Sequence, residues 1–384
     1  MGLFFVIAVV LSFVIAVYIG CRLLAIFNYS QSGYFSSLPK KIFWVVIILA
    51  SLSFILTRIF AKPDDYWFPL LSNYIFSFVL CLFFTCILFD IFFVLRYAFT
   101  RQRLKPKRKI KMAYLVIAIG MFAIGLHSAS SPRTIIYDIT IDKPALVKDL
   151  RIVQLSDIHV SETTSPESIK ELVNKVNSLN ADFIFITGDT LDMALFPYLE
   201  KGLPAILATL KSTYGTIVIF GNHEHYGTRL VTEKNTLDDI TKAFEDSNML
   251  VLRDQVKYYP ELGISLIGRD DYVVPQLGRT RLELNDLITQ VDTAKPVLLL
   301  DHQPRFLPEA ARAGVDVMYS GHTHAGQVFP MNLLVEMMYD NAWGQYMIGN
   351  HFTSIVSSGY GLWGPPIRLL TQAEIVVTDI HFQQ

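Results

Sequence analysis

Tyr319-Ser320-Gly321-His322-Thr323-His324-Ala325-Gly326-Gln327 places two histidines one residue apart in a glycine-flanked loop, so that two imidazoles can be aimed at one small object. A pair of metal ions is the object such a loop suits. Four upstream segments share one build, a short apolar β-branched run that stops abruptly at Asp, Asn or His: Ile152 to His159, Phe183 to Asp189, Ile217 to His223 and Val297 to His302. Five strands that each end in metal-ligand side chains describe a site at the carboxyl edge of a sheet, where α/β folds place their ligands.

The rest of the chain sets limits on that site. With 384 residues, 52% of them hydrophobic, and a mean hydropathy of +0.38, the chain is too apolar for an ordinary soluble enzyme of its size. The overall charge of -1 hides a division: residues 1 to 111 carry 13 Lys and Arg against 3 Asp and Glu, and residues 112 to 384 carry 20 against 31. The first part is basic and membrane-like; the second is acidic, which argues against nucleic acid as a partner because an acidic surface repels phosphate backbones. Cys21, Cys81 and Cys86 all lie in the apolar part. The acidic part therefore has neither disulfides nor thiolate ligands, and its metal ligands must be nitrogen and oxygen.

Four apolar stretches read as membrane spans: Leu3 to Phe27, Ile42 to Phe60, Leu70 to Leu95 and a shorter Met112 to Leu126. The first is too long for the apolar region of a signal peptide and lacks a basic start. Arg22, Lys40 and Lys41 lie between spans one and two, and Arg96, Arg101, Arg103, Lys105, Lys107, Arg108, Lys109 and Lys111 lie between three and four. Only Arg58 and Lys62 lie between spans two and three, offset by Asp64 and Asp65. Positive charge at span ends is retained in the cytoplasm, so this pattern predicts that the N-terminus and the large acidic part lie outside it. Asp90, inside the third span, is expected to reach water near Arg96.

Domain boundaries follow: a transmembrane helical region at 1–127 and a second domain at 134–384, opening on a strand from Thr134 to Ile141. Helix-like stretches at Pro166 to Leu179 and Tyr198 to Ser212 alternate with the strands, giving an α/β fold class. The glycines Gly188, Gly221 and Gly321, each just before a ligand-type residue, are expected to supply sharp turns off the strands.

Ser-Asp-Ile-His (Asp157, His159), Thr-Gly-Asp (Asp189), Gly-Asn-His-Glu (Asn222, His223), Asp-His-Gln-Pro (His302) and Gly-His-Thr-His (His322, His324) occur in this order. In every block the set resembles the calcineurin-like metallophosphoesterase superfamily, from about residue 134 to the C-terminus. The closing stretch Ser357 to Arg368 resembles the tail of its bacterial membrane-associated branch. The resemblance implies a four-layer αββα sandwich; the four-helix transmembrane region that precedes it here is read from hydropathy and lies outside what the family shares. It also implies a metal-dependent phosphoric ester hydrolase that attacks phosphorus with a metal-bridging hydroxide.

By the same resemblance Asp189 bridges two divalent metal ions, Asp157, His159 and His324 complete one site, and Asn222, His302 and His322 complete the other. His223 contacts a phosphate oxygen or protonates the leaving group. Nitrogen and oxygen ligands suit manganese, iron or zinc, with manganese favoured. Asp301 and Glu224 are candidates to orient an imidazole, and His225 reads as a loop residue without catalytic duty.

Val328 to Met347 is rich in Met and aromatic residues. Such a stretch either packs as core and edge strand or offers an adaptable surface to a flexible apolar ligand. With the spans, the latter reading gives a membrane-anchored phosphoesterase of the bacterial inner membrane, its catalytic domain extracytoplasmic, acting on a lipid-linked phosphate or pyrophosphate. Two alternatives stay open: a tethered phosphatase or phosphodiesterase for soluble nucleotides, and a non-catalytic metal-binding membrane sensor.

Overall fold

The computed structural model describes residues 2–26, 38–61, 65–102, 108–229 and 235–383. Phe27, Lys62, Asp64, Arg103, Lys105 and Lys107, used above to place spans and loops, lie outside them. The chain forms two compact units, Met1–His127 with Gly364–Ile367, and Ser128–Trp363 with Arg368–Gln384.

The first unit contains α1 (Gly2–Ile26), α2 (Leu38–Phe60), α3 (Trp67–Thr100) and α4 (Arg108–Ser130). Among the described residues these four helices are long and apolar enough to cross a membrane. They are apolar on all sides, as a helix in lipid is, and Val10, Leu49, Leu95 and Ile124 point outward. α4 is longer than the sequence implies, with 23 residues, about 34 Å at 1.5 Å per residue. Backbone hydrogen bonding carries it past the apolar run at both ends. Asp90 does not rely on Arg96: it accepts a hydrogen bond from Tyr18 Oη at 2.7 Å and pairs with Arg22 at 2.5 Å, so α1 supplies its counter-charge.

The second unit is built on two six-stranded sheets. Its first elements are β1 (Arg133–Pro144), β2 (Asp149–Leu155), α5 (Pro166–Asn177), β3 (Phe183–Thr187), α6 (Phe196–Glu200), α7 (Leu203–Leu207) and β4 (Thr216–Ile219). α8 (Asn222–Gly227), α9 (Leu237–Glu245), β5 (Met249–Val251), β6 (Gln255–Tyr259), β7 (Ile264–Gly268), α10 (Leu284–Ile288), β8 (Val297–Leu300), α11 (Leu307–Arg312) and β9 (Val317–Ser320) follow. The chain then forms α12 (Met331–Met338), β10 (Gly344–Ile348), β11 (Phe352–Val356) and β12 (Glu374–Gln383).

The strand orders are β1-β12-β2-β3-β4-β5 and β10-β11-β9-β8-β7-β6. β2, β3, β4 and β5 run parallel in one sheet, and β7, β8, β9 and β11 run parallel in the other. Parallel strands need covered faces, and their continuous apolar sequences satisfy that on both sides. Ile152, Phe183, Phe185, Ile217 and Ile219 meet Leu298, Leu300, Val317, Tyr319 and Ile355 between the sheets. Outside, α5, α7 and α9 cover the first sheet with residues such as Leu172, Leu207 and Phe244. Leu287 of α10 and Leu307 of α11 cover the second. This is the four-layer αββα sandwich.

The helix expected from Tyr198 to Ser212 is instead two short ones. Pro197 and Pro204 each sit in a first turn, and Gly202 between them is left-handed at φ 64°. α5 keeps its expected start, with Ser165 capping the Ser168 N–H. Beneath the site, the buried Gln154 amide donates to Thr187 Oγ1 at 2.9 Å and to Ser320 O at 2.8 Å, locking the two sheets together at their carboxyl ends.

Candidate metal centre

β2, β3, β4, β8 and β9 each release a loop at that edge, and hydrogen bonds between loops continue the pattern of the sheets. Asp157 N–H donates to Gly188 O at 3.0 Å and His159 N–H to Asp189 O at 3.0 Å. Gly321 N–H donates to His302 O at 2.9 Å. The turns are severe: Asp157, His159, Asp189, His322 and His324 all have φ between 49° and 70°. Non-glycine residues rarely adopt this region, and it is tolerated where the surroundings over-determine the backbone.

The glycines have two separate reasons. Gly188 has φ 92°, and a Cβ there would lie 2.5 Å from His302 Nδ1. Gly221 and Gly321 are not left-handed. A Cβ on Gly221 would fall on the Asp189 carboxylate, and one on Gly321 on the Ser156 hydroxyl and the Asp157 carboxylate, so close approach rather than a turn requires glycine there.

The side chains then converge. His159 Nε2 lies 3.0 Å from His324 Nε2 and 3.9 Å from Asp157 Oδ1, and His324 Nε2 lies 3.4 Å from the same Oδ1. Asp189 Oδ2 lies 3.1 Å from His302 Nε2 and 3.9 Å from His159 Nε2, so it stands between two clusters. Asp157, His159 and His324 form one group able to hold an ion, and Asp189, His302 and His322 another. Ligand atoms about 2.1 Å from one ion stand about 3.0 to 3.4 Å apart at octahedral or tetrahedral angles, which is the spacing of the closest pairs.

The donor set fits metal. His302 Nδ1 donates to Thr187 O at 2.7 Å, turning its other nitrogen toward Asp189 Oδ2. Two lone pairs cannot face each other there without a positive charge between them, a proton or a metal ion. His302 Nε2 and Asn222 Oδ1 are buried without a hydrogen-bond partner among the described residues, as ligating atoms are before an ion takes them.

Burial raises the Asp157 carboxyl above its usual range, against the pull of His302. Burial would do the same to Asp189, but His302 and His223 beside it hold it well below that range. Burial opposes charge on His302 too, yet Asp189 drives it well above the ordinary imidazole value. Burial, with His302 adding, lowers His322 to about 3, and burial with His159 depresses His324 strongly. Neutral imidazole is the ligating form.

Several neighbours have roles the sequence did not indicate. Asp192 Oδ1 lies 3.3 Å from His159 Nδ1, and Asp192 O lies 2.8 Å from His223 Nδ1. One residue thus adjoins two imidazoles and holds the ring of His223 by a hydrogen bond. Its signal was available as a second Asp three positions after Asp189. Burial opposes charge on His223, but Asp189 and Asp192 outweigh it and raise its basicity.

Glu224 orients no imidazole. Its carboxylate accepts from the backbone N–H groups of Asp189, Leu191 and Gly221, and burial raises it to about 7. Asp301 accepts from Arg269 and Arg281. His225 is buried and bonded to Asp270 at 2.6 Å, so it belongs to the core of this loop cluster. Arg368, fully buried, donates to the carbonyls of Ser358, Gly359 and Gly361 behind His324.

Residues 150–326 match the family Calcineurin-like phosphoesterase. A metallophosphoesterase of Campylobacter jejuni subsp. jejuni serotype O:2, described as uncharacterized, is 32% identical over 356 residues, covering 90% of each chain. The chain belongs to the calcineurin-like phosphoesterase family. A calcineurin-like phosphoesterase is a metal-dependent phosphoester hydrolase with a dinuclear divalent metal centre. A Helicobacter pylori (strain ATCC 700392 / 26695) metallophosphoesterase, also described as uncharacterized, is 31% identical over 71% of each chain. A Danio rerio protein described as a transmembrane protein with metallophosphoesterase domain is 27% identical, covering 91% of this chain and 82% of its own. Bacterial and eukaryotic phosphoesterases alike are thus similar to it, beyond the bacterial branch suggested by the tail.

Gly188→Ala is expected to destabilise the protein by about 1 to 3 kcal/mol, because it forces a Cβ into a left-handed position and against His302. Thermal unfolding of the detergent-solubilised protein measures this, and a variant as stable as the wild type would remove the steric account of this glycine.

Proposed function

We propose that this chain is a membrane-anchored dinuclear phosphoesterase that hydrolyses a lipid-borne phosphate ester. The observation that carries the lipid reading is α12. This helix begins five residues after Gly326 of the histidine loop and buries none of its residues. Met337 is 83% exposed and Met338 64%, beside exposed Leu333, Leu334, Trp343 and Met347. An exposed apolar surface of this extent marks a ligand or membrane contact, and methionine adapts to flexible chains. In a chain with four apolar helices, a lipid is the ligand this surface favours.

In this reading Asp189 would be shared by two ions, with Asp157, His159 and His324 completing one site and Asn222, His302 and His322 the other; manganese is preferred among the manganese, iron and zinc that this thiolate-free set of four nitrogen and three oxygen donors suits. Such a pair, when bound, supplies positive charge to phosphate oxygens and acidifies water. Asp192 lies beside His159, and Thr187 O sets the ring of His302. His223 uses Nδ1 on Asp192 O, which leaves Nε2 to deliver a proton to the departing oxygen.

The anchor is an integral part of the bacterial inner membrane in this reading, and the catalytic domain is extracytoplasmic. Eleven basic residues flank the two loops assigned to the cytoplasm, against two in the loop assigned outside. The length of α4 supports an even number of crossings.

Asp189→Ala is expected to release both metals. His223→Ala should keep about two equivalents while turnover falls by roughly 10² to 10⁴. Elemental analysis separates the two, and metal lost with His223, or two tightly held equivalents without Asp189, would overturn the assignments. Purified protein given total membrane lipids and Mn²⁺ should dephosphorylate a lipid, identified by mass analysis. Replacing Leu333, Leu334, Met337 and Met338 with Ser should lower kcat/KM on that lipid, relative to an aryl phosphate, roughly tenfold or more; an unchanged ratio would remove the lipid role of α12. A reporter fused after Gln384 tests sidedness: alkaline phosphatase should be active there and green fluorescent protein dark, and the reverse places the domain in the cytoplasm.

A further inference from the structure

Beyond His302 and His322 lies a cation that the metal chemistry does not use. The Arg305 guanidinium is held between two aromatic rings, 4.7 Å from the centroid of Tyr272 and 5.0 Å from that of Tyr339. Arg305 Nε donates to Gln303 Oε1 at 3.0 Å and Nη2 donates to Tyr339 Oη at 3.2 Å. Gln303 is held in turn, its Nε2 donating to buried Asp271 Oδ1 at 3.0 Å. Tyr339 touches the metal side as well, its ring centroid 6.2 Å from that of His322, and it directly follows α12.

Among the described residues no carboxylate lies within ion-pair distance of Arg305, and Nη1 has no hydrogen-bond partner. A half-buried guanidinium without a counter-ion is costly, whereas one oriented by three fixed groups is prepared to receive an anion. Its planar fork suits phosphate, which it grips bidentately. The scissile phosphate belongs between the two ligand clusters, and Arg305 lies one tyrosine ring further out than His322. It is therefore placed for a neighbouring group.

We infer that Arg305, with Tyr272 and Tyr339, forms a second anion subsite that selects substrates carrying a second phosphate group beside the scissile one. This rests on the phosphoesterase reading above and narrows its substrate class to a diphosphate or doubly phosphorylated amphiphile. With a diphosphate, hydrolysis consumes one water and breaks the bond between the terminal phosphorus and the bridging oxygen. That oxygen keeps the electron pair and takes a proton, leaving inorganic phosphate and a monophosphate.

The test compares the full-length, Mn-loaded protein with Arg305→Gln and Arg305→Lys, each verified for two metal equivalents. Three probes are used: p-nitrophenyl phosphate, methyl diphosphate and geranylgeranyl diphosphate. Loss of one charge-assisted contact predicts that Arg305→Gln lowers the ratio of kcat/KM on either diphosphate to that on p-nitrophenyl phosphate by about 10- to 100-fold. Arg305→Lys, which keeps the charge without the fork, should fall between. A ratio within about twofold of wild type in Arg305→Gln, or an Arg305→Lys protein no better than Arg305→Gln, overturns the subsite and leaves the arginine a structural stack on its tyrosines. Chain length reads the lipid proposal separately: a wild type that prefers methyl to geranylgeranyl diphosphate rejects the lipid while leaving the Arg305 ratio to judge the subsite.

Discussion

Bringing carboxylate oxygens and imidazole nitrogens within 3.0 to 3.9 Å of one another, out of water, is the constraint on which this domain is built. Each such group would rather be solvated, and lone pairs facing at that distance repel. Only a rigid frame holds them there. Five of the residues involved adopt left-handed backbone, which costs about 1 to 3 kcal/mol for each. The apolar layer between the sheets and the two outer helical layers offset this, since each buried Phe, Leu, Ile or Val contributes about 1.5 to 3 kcal/mol.

The frame acts through backbone. Loops that leave neighbouring parallel strands keep exchanging hydrogen bonds for several residues, as Asp157 with Gly188, His159 with Asp189 and Gly321 with His302 do. Glu224 gathers three N–H groups from two of these loops. The inter-sheet amide of Gln154 couples the histidine loop after β9 to the aspartate loop after β3. A displacement of one loop would be felt in all of them, which explains why the imidazoles are aimed so narrowly.

The soft side of the site contrasts with this. α12 leaves the histidine loop with nothing buried, and its last turn hands over to Tyr339, which contacts both His322 and Arg305. Rigid polar chemistry and an adaptable apolar surface thus meet within a few residues. An amphiphile, with a charged head and a flexible tail, has the same two-part character.

Much of this was legible in the sequence. Continuous apolar strands ending in Asp, Asn or His announced a covered parallel sheet with ligands at its carboxyl edge, because strand burial and strand end are local properties written in adjacent residues. The four apolar helices were legible for the same reason. What the tertiary structure alone decided is everything that depends on approach between distant segments. Gly221 and Gly321 serve the carboxylates of Asp189 and Asp157 rather than a turn of their own. Asp192 meets His159, Arg22 meets Asp90, Asp301 meets arginines instead of an imidazole, and His225 is buried against Asp270. Periodicity and motif spacing describe a residue's own element, whereas these partners lie 20 to 164 positions away and are joined only when sheets and helices pack.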